Sequence, residues 1–501
     1  MSPTSGSSRN PWTPFAQDMS GVTLSDPDGS VGPSVRAQSE VVRAVPLDWR
    51  DVLTVHCPIG GDAPGPAEVD GVDSPSPAAP VPADLVPLDV VAADPERFGF
   101  VEVTGDGTGT GTGPLAGLRY ARKDMLFRTG ELCECGSPVM AGHRPQATAS
   151  VLAALDAAGA GDVGRLHMAE LAMSPTGRNN WLGPGRNPWD RSRVSGGSSS
   201  GSGIAAAARA VDFTIGSDTG GSVRIPAAAC GVTGLKPTQG VLALDGVMPL
   251  SPSLDCLGIL APAAETVSGV FEVLVRGDGR LPAAAGPADT TVFLPAFGAA
   301  DELDPVTIDA VRGVADAVHA AGYRVEACAV PELGVLGQLA GMITAVEAAS
   351  VWGDRLAEDA SQFYLEIRRR IERGTLVPAP VYLRALRLRR ASLQRFLDEH
   401  LPAGGLLLLP TIPTEAPEVA ATTEGAPEEL EARFARFSFW TRAINYLGLP
   451  SVSVPGGFGA HGMPLGVQLV GRPYADRTVL RAAHAVQRQT EWHRRIPNPT
   501  R

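Results

Sequence analysis

A chain of 501 residues with 44% hydrophobic and 19% charged residues can bury a large core, which excludes wholesale disorder; length alone suggests roughly two to four domains. The net charge of −12 argues against nucleic acid as the main partner, because phosphate binding needs clustered Lys and Arg. No apolar run approaches the roughly 20 residues that span a bilayer, and the N-terminal MSPTSGSSRNPW lacks the apolar centre of a signal peptide, so a cytoplasmic protein without a membrane partner is expected.

Residues 1–96 are rich in Pro, Gly, Asp and Ser, above all over 60–82, and read as an irregular or partly disordered N-terminal extension. Within it, 41–55 forms one patch patterned like a strand or a short helix. The alternative is an arm that wraps the main domain or a second subunit, which leaves a homodimer as a possible assembly. FGFVEV, at 98–103, alternates as a strand does. A Gly/Thr run follows, then PLAGLRYARKD at 114–124. By residue type alone, Lys123 reads as a solvated surface charge.

Cys133-Glu134-Cys135 is the only close pair among six cysteines. No second pair follows nearby and the eight histidines are scattered, so the reading is two reduced thiols and no metal site. Residues 147–158 have helical periodicity through Val151, Leu152 and Leu155, and 163–166 reads as a short strand. Met173, in the segment after it, divides evenly between a pocket residue and core packing.

The stretch 193–238, RVSGGSSSGSGIAAAARAVDFTIGSDTGGSVRIPAAACGVTGLKPT, holds two glycine-serine knots. Glycine lets the chain turn freely and lets a ligand approach the main chain; serine is a nucleophile only if something takes its proton. The stretch is therefore either a catalytic hydroxyl site with an anion hole or a flexible linker. The linker reading fails because 204–210 is a good helix former and 211–215 alternates as a strand. Ser222 is the best nucleophile: it ends Thr219-Gly220-Gly221-Ser222, whose N–H groups can converge on one oxygen. Ser222 does not sit in a G-x-S-x-G elbow, and no histidine in a recognisable partner motif favours a Ser-His-Asp triad.

Further on, 292–294 and 323–328 read as strands flanking a helix whose face is Ile308, Val311, Val314 and Val318, a β-α-β unit that favours a parallel sheet. Residues 345–397 read as mostly helical. Their arginines (Arg368, Arg369, Arg370, Arg387, Arg389, Arg390) read as solvated helix faces. The Leu406–Leu409 run before Pro410 reads as a buried strand.

The 193–238 stretch resembles the signature of the amidase signature hydrolases: GGSSGG, an Ala-rich helix, then G-x-D-x-GGS-[IV]-R-x-P-A-x-x-CG-x-x-G-x-KPT. PLAGLRYARKD, Ser253-Leu254-Asp255, LLLLPT, the 445–455 segment and PLGVQLVG are similar to further family segments, so the resemblance covers about 98–495. It implies an α/β fold: a single domain over 97–495, with a mixed, largely parallel twisted sheet covered by helices on both faces, and a tail at 496–501. It also implies hydrolysis of a small-molecule, non-peptide linear amide through a serine acyl-enzyme, without cofactor.

Under the resemblance Ser222 attacks, Ser198 (preceded by a cis peptide bond) relays the proton, and Lys123 is the base. Thr219, Gly220, Gly221 and Ser222 form the oxyanion hole. Asp218 fixes that loop, Arg224 anchors it, and Ser199 is a structural hydroxyl. Three features depart from the pattern: Arg122 where an apolar residue is usual, the Met125–Arg128 segment after the lysine, and Ser200 in place of a glycine. Two other readings stay open. One is the glutaminase subunit of a tRNA-dependent amidotransferase, against which stands Ser438 where those members carry an acidic residue for the glutamine amine. The other is a non-catalytic binding member, against which stand the intact Lys123, Ser198 and Ser222.

Overall fold

The computed structural model describes residues 85–498; the 41–55 patch and the last three residues lie outside them. Eleven strands are present among the described residues: β1 Phe100–Val103, β2 Arg119–Lys123, β3 Gly161–Leu166, β4 Phe213–Ser217, β5 Thr233–Lys236, β6 Leu257–Ala261, β7 Thr291–Pro295, β8 Arg324–Cys328, β9 Gly405–Pro410, β10 Ser451–Phe458 and β11 Pro464–Gly471. They form one sheet in the order β1-β3-β2-β4-β6-β5-β10-β11-β9-β7-β8.

The leucine run in β9 explains how the sheet is covered. Leu406 and Leu408 belong to one apolar cluster, Leu407 and Leu409 to another. Alternate side chains on a strand point to opposite faces, so an unbroken apolar run requires cover on both. On one side Val311, Val314 and Val318 of the helix Pro305–Ala320 supply it; on the other, Leu339 and Ile343 of the helix Gly334–Glu358 do. That second helix is, by length and composition, apolar enough to cross a membrane, contrary to the sequence expectation. Here it packs against the helices Leu365–Thr375 and Phe439–Leu447.

The α/β class and the mixed sheet are as expected. The proportion of parallel pairing is not: β2-β3, β2-β4, β7-β8 and β7-β9 are parallel, whereas the other six junctions are antiparallel. The β-α-β unit at β7 and β8 is parallel because its crossover helix returns the chain to the same end. Antiparallel pairing fills the middle of the sheet, from β4 to β9, with β10 to β11 joined by a tight turn.

Described structure precedes residue 97, the domain start expected from the sequence. The helix Leu88–Ala93 buries Val91 with Phe98, Phe100 and Ala205. The Ala-rich helix spans Ser200–Ala207, starting inside the serine knot and stopping short of 210. It ends there because Arg209 takes a left-handed backbone conformation (φ 56°) that breaks the helical ladder.

Candidate active site

β2 and β4 lie side by side and parallel, with Arg122 opposite Ile215. That register sets Lys123, the last residue of β2, beside the end of β4, where the chain enters the second knot. Sites in sheets of this kind form at the carboxyl ends of parallel strands. The Lys123 side chain is fully buried, and its Nζ donates to Ser198 Oγ at 2.7 Å and to Ser217 Oγ at 2.8 Å. Burial disfavours the ammonium and brings the lysine down to about 7; the more distant charges of Asp255 and Asp218 partly oppose this.

The first knot is built from close packing. The Gly197–Ser198 peptide bond is cis. A Cβ at Gly197 would lie 2.5 Å from both Gly177 N and Ser174 O, so only glycine fits against that loop. Gly197 N donates to Pro175 O, and Ala169 N donates to Ser198 O. Ser199 clips the two knots together: its Oγ donates to Ser217 O and accepts from Ser217 N, and its own N–H donates to Ser222 O at 3.3 Å. Ser200 has a partner of its own. Gly183 O can only accept from His167 Nε2, so Nδ1 is the acceptor for the Ser200 hydroxyl at 2.7 Å.

The second knot is folded around Asp218. Its carboxylate accepts from the N–H groups of Gly221 and Val223, from the Arg224 guanidinium at 3.0 Å on both oxygens, and from Asn445 Nδ2 at 2.8 Å. Burial alone would raise this carboxyl, but Arg224, Lys236 and Asn445 hold it well below the usual range. Arg224 is fully buried and also reaches Gln468 Oε1, Asn445 Oδ1 and Thr441 O. Thr219 Oγ1 donates to Asp255 Oδ1 at 2.5 Å, while Asp255 also takes the N–H groups of Leu250 and Ser251. Gly221 sits at φ 123°, and a Cβ there would meet Thr441 Oγ1 at 2.2 Å.

This wiring changes one expectation. The Gly221 amide is spent on Asp218 Oδ1 at 2.8 Å, so it is not available to an oxyanion in this arrangement. The amides of Thr219, Gly220 and Ser222 donate to nothing among the described residues. Ser222 is half-buried, and its hydroxyl takes no hydrogen bond among the described residues. The structure thus brings Lys123 and Ser198 into direct contact and sets Ser222 beside them through its main chain, without a bond between the two serine hydroxyls.

The departures near the lysine face away from it. Arg122, one residue along β2 and so on the opposite face, pairs with Asp162 and Glu131. Arg128 joins the same network through Asp156 and Asp162. Met125 alone reaches the site, its Sδ accepting from Ser217 Oγ at 3.1 Å. Met173 is buried in the core cluster, and its carbonyl accepts from Arg370. Arg370 and Arg389 are therefore not solvated helix charges: each is half-buried and holds main-chain carbonyls, Arg389 those of Tyr446 and Ser253. Sequence reasoning passed over Ser217, Asn445 and the role of Asp255. Ser217 directly precedes Asp218, and only the β2-β4 register reveals that it meets Lys123.

A family model described as Amidase matches residues 102–480. A glutamyl-tRNA(Gln) amidotransferase subunit from Aromatoleum aromaticum is 34% identical over 427 residues, spanning 77% of this chain and 86% of that protein. A solved structure described as an amidase superposes with a TM-score of 0.71 at 27% identity, over 80% of this chain and 94% of that one. The structure of 6-aminohexanoate cyclic dimer hydrolase complexed with substrate gives 0.72 at 25% identity, over 83% and 95%.

Proposed function

The chain belongs to the amidase family, and on that premise we propose that it hydrolyses the C–N bond of a small, non-peptide linear amide through a serine acyl-enzyme. The observation that carries the reading is the buried contact of Lys123 Nζ with Ser198 Oγ at 2.7 Å, on a lysine brought down to about 7. A lysine near that value is neutral for much of the time at working pH and can accept a proton.

In this reading Ser222 Oγ attacks the amide carbonyl carbon as its proton passes through Ser198 Oγ to Lys123 Nζ. The oxyanion that forms is met by the amides of Thr219, Gly220 and Ser222. The proton returns along the same path to the leaving nitrogen, the C–N bond breaks, and the amine departs. Water, deprotonated by the same relay, then attacks the acyl ester and frees the acid and Ser222. Asp218 and Arg224 hold the amides in place, and no step calls on a cofactor.

The test is to incubate the protein with small aryl and aliphatic amides and follow ammonia or amine release, comparing wild type with Ser222→Ala. Absence of release from every amide, together with a serine inert to a fluorophosphonate, would sink the reading.

A second reading, a glutaminase that passes ammonia to a partner enzyme, is supported by the identity to the glutamyl-tRNA(Gln) amidotransferase component. Ser438 speaks against it. This buried hydroxyl donates to Phe434 O at 2.9 Å and offers no charge to an ammonium group. Glutamine hydrolysis at a rate above that of simple amides would favour the second reading.

A further inference from the structure

The helix Phe439–Leu447 closes over the nucleophile loop. Thr441 Oγ1 donates to Gly220 O at 2.7 Å. The next residue, Arg442, packs on the same glycine: its Cγ lies 3.4 Å from where a Cβ on Gly220 would sit. The helix Gly334–Glu358 faces it with two glycines one turn apart. A Cβ at Gly337 would be 3.7 Å from Arg442 Cβ, and one at Gly341 3.9 Å from Arg442 Nη1. The side chain therefore runs along a trough that those glycines leave open, starting two residues from Ser222. Among the described residues its guanidinium makes no hydrogen bond and no ion pair.

The charge that bears on it is another cation. Arg370, on the helix Leu365–Thr375, holds the Met173 carbonyl and lies 5.9 Å from the Phe434 ring. Burial, and secondarily the charge of Arg370, pull Arg442 down to about 10. The carboxylates nearby are already engaged: Glu366 by Arg178 at 2.7 Å, and Glu431 by Arg373 at 2.6 Å. One turn before Arg442 stands Ser438, which has no charge to offer. Two half-buried guanidiniums of like sign are costly together unless an anion lies with them, and a guanidinium's planar fork matches a carboxylate.

We propose that Arg442, with Arg370 opposite it, is the anion-recognising end of the substrate pocket, so that the amide cleaved here carries a carboxylate a short chain away from its scissile carbonyl. This rests on Ser222 being the nucleophile of amide hydrolysis. It narrows the substrate class to half-amides of small dicarboxylic acids and their close analogues.

The test pairs each anionic amide with a neutral one in which a methyl group replaces the carboxylate: succinamate with butyramide, and glutaramate with valeramide. Hydrogen bonds to charged groups predict a wild-type preference in kcat/KM of roughly tenfold to a hundredfold for the anionic member. Arg442→Gln is expected to remove most of that preference, chiefly through KM, and Arg442→Lys to restore part of it. A wild-type ratio near one, or a ratio unchanged in Arg442→Gln, overturns the proposal. A second measurement needs no turnover: calorimetric binding of glutarate to Ser222→Ala protein, expected to vanish when Arg442→Gln is added. Glutarate binding that is absent, or that survives the added substitution, also overturns it. If no amide is cleaved and Ser222 resists the fluorophosphonate, the hydrolase reading fails, while the glutarate titration still decides the anion site. Thermal melts confirm that each variant is folded, and Arg442→Lys serves where Arg442→Gln is not.

Discussion

Lys123 and Ser198 stand 75 residues apart in the chain, yet their side chains meet at 2.7 Å with both groups out of water. Two hydroxyls, those of Ser198 and Ser217, share the lysine's protons, and among the described residues no carboxylate touches it directly. The acids whose charges bear on it, Asp255 and Asp218, are each committed to other donors. This is an arrangement that lets a lysine be neutral, because burial is not offset by a contact ion pair.

The pH dependence follows from that geometry. A lysine titrating at about 7 is a base only above that pH, so kcat/KM is expected to be low in acid and to rise through about pH 7. Lys123→Met should lower kcat by on the order of 10²–10⁴ and abolish that limb. Stability carries a second signature. The folded protein holds this lysine below its ordinary value of 10.5, so between about pH 7 and 10.5 the unfolded chain binds more protons. The lysine's contribution to stability therefore rises with pH across that window. Urea midpoints measured from pH 7 to 9 should rise less steeply in Lys123→Met than in wild type.

Ser217 is expected to be a positioning residue. Its hydroxyl accepts from Lys123 and donates to Met125 Sδ. Ser217→Ala removes an acceptor that favours the protonated lysine, so the acid limb should move to lower pH while kcat falls by about tenfold. A purely structural role would lower the melting temperature without moving the limb. Ser217→Thr, which keeps the hydroxyl, should leave the limb where it is.

Ser222→Ala is expected to remove fluorophosphonate labelling and to lower kcat by roughly 10⁴ or more, the scale seen when a serine nucleophile is deleted. Ser199→Ala should retain labelling, since that hydroxyl is bound to the Ser217 main chain. Mass spectrometry of the labelled peptide distinguishes the serines.

Asp218→Asn breaks a fully buried ion pair and leaves Arg224 unpaired. Removing one partner of such a pair costs about 3–5 kcal/mol, to be read as a lower urea midpoint. The same change loosens the turn that directs the Thr219, Gly220 and Ser222 amides, so kcat should fall in whatever fraction remains folded. Arg224→Met should destabilise by a similar amount, because it leaves the Asp218 carboxylate buried without its cation.

Part of the candidate site's local shape was legible in the chain. The glycines at 196, 197 and 221 announce turns that no side chain can enter, and the structure supplies the reason at 197 and 221: neighbouring atoms within about 2.5 Å of a would-be Cβ. The β-α-β unit was legible because Val311, Val314 and Val318 repeat at helical spacing between two apolar runs. The extent of the Ala-rich helix was read less well, since propensity favours 204–210 whereas the left-handed turn at Arg209 ends the helix early. The parallel share of the sheet was overestimated because strand direction depends on connections that composition does not reveal.

The order of residues along the chain determined which local shapes were available: the two serine knots, the Asp218 turn and the strand that ends in Lys123. These depend on neighbours a few positions away, where backbone sterics and glycine's freedom act. Only the tertiary structure decided which groups meet. Ser217 reaches Lys123 because β2 and β4 pair in parallel at one register. The Gly221 amide is bound because Asp218 turns back to take it. Arg442 comes to lie on Gly220 because a helix more than two hundred residues onward packs against the knot. Such contacts are set by burial and sheet order across the whole molecule, and no short window of sequence contains both partners.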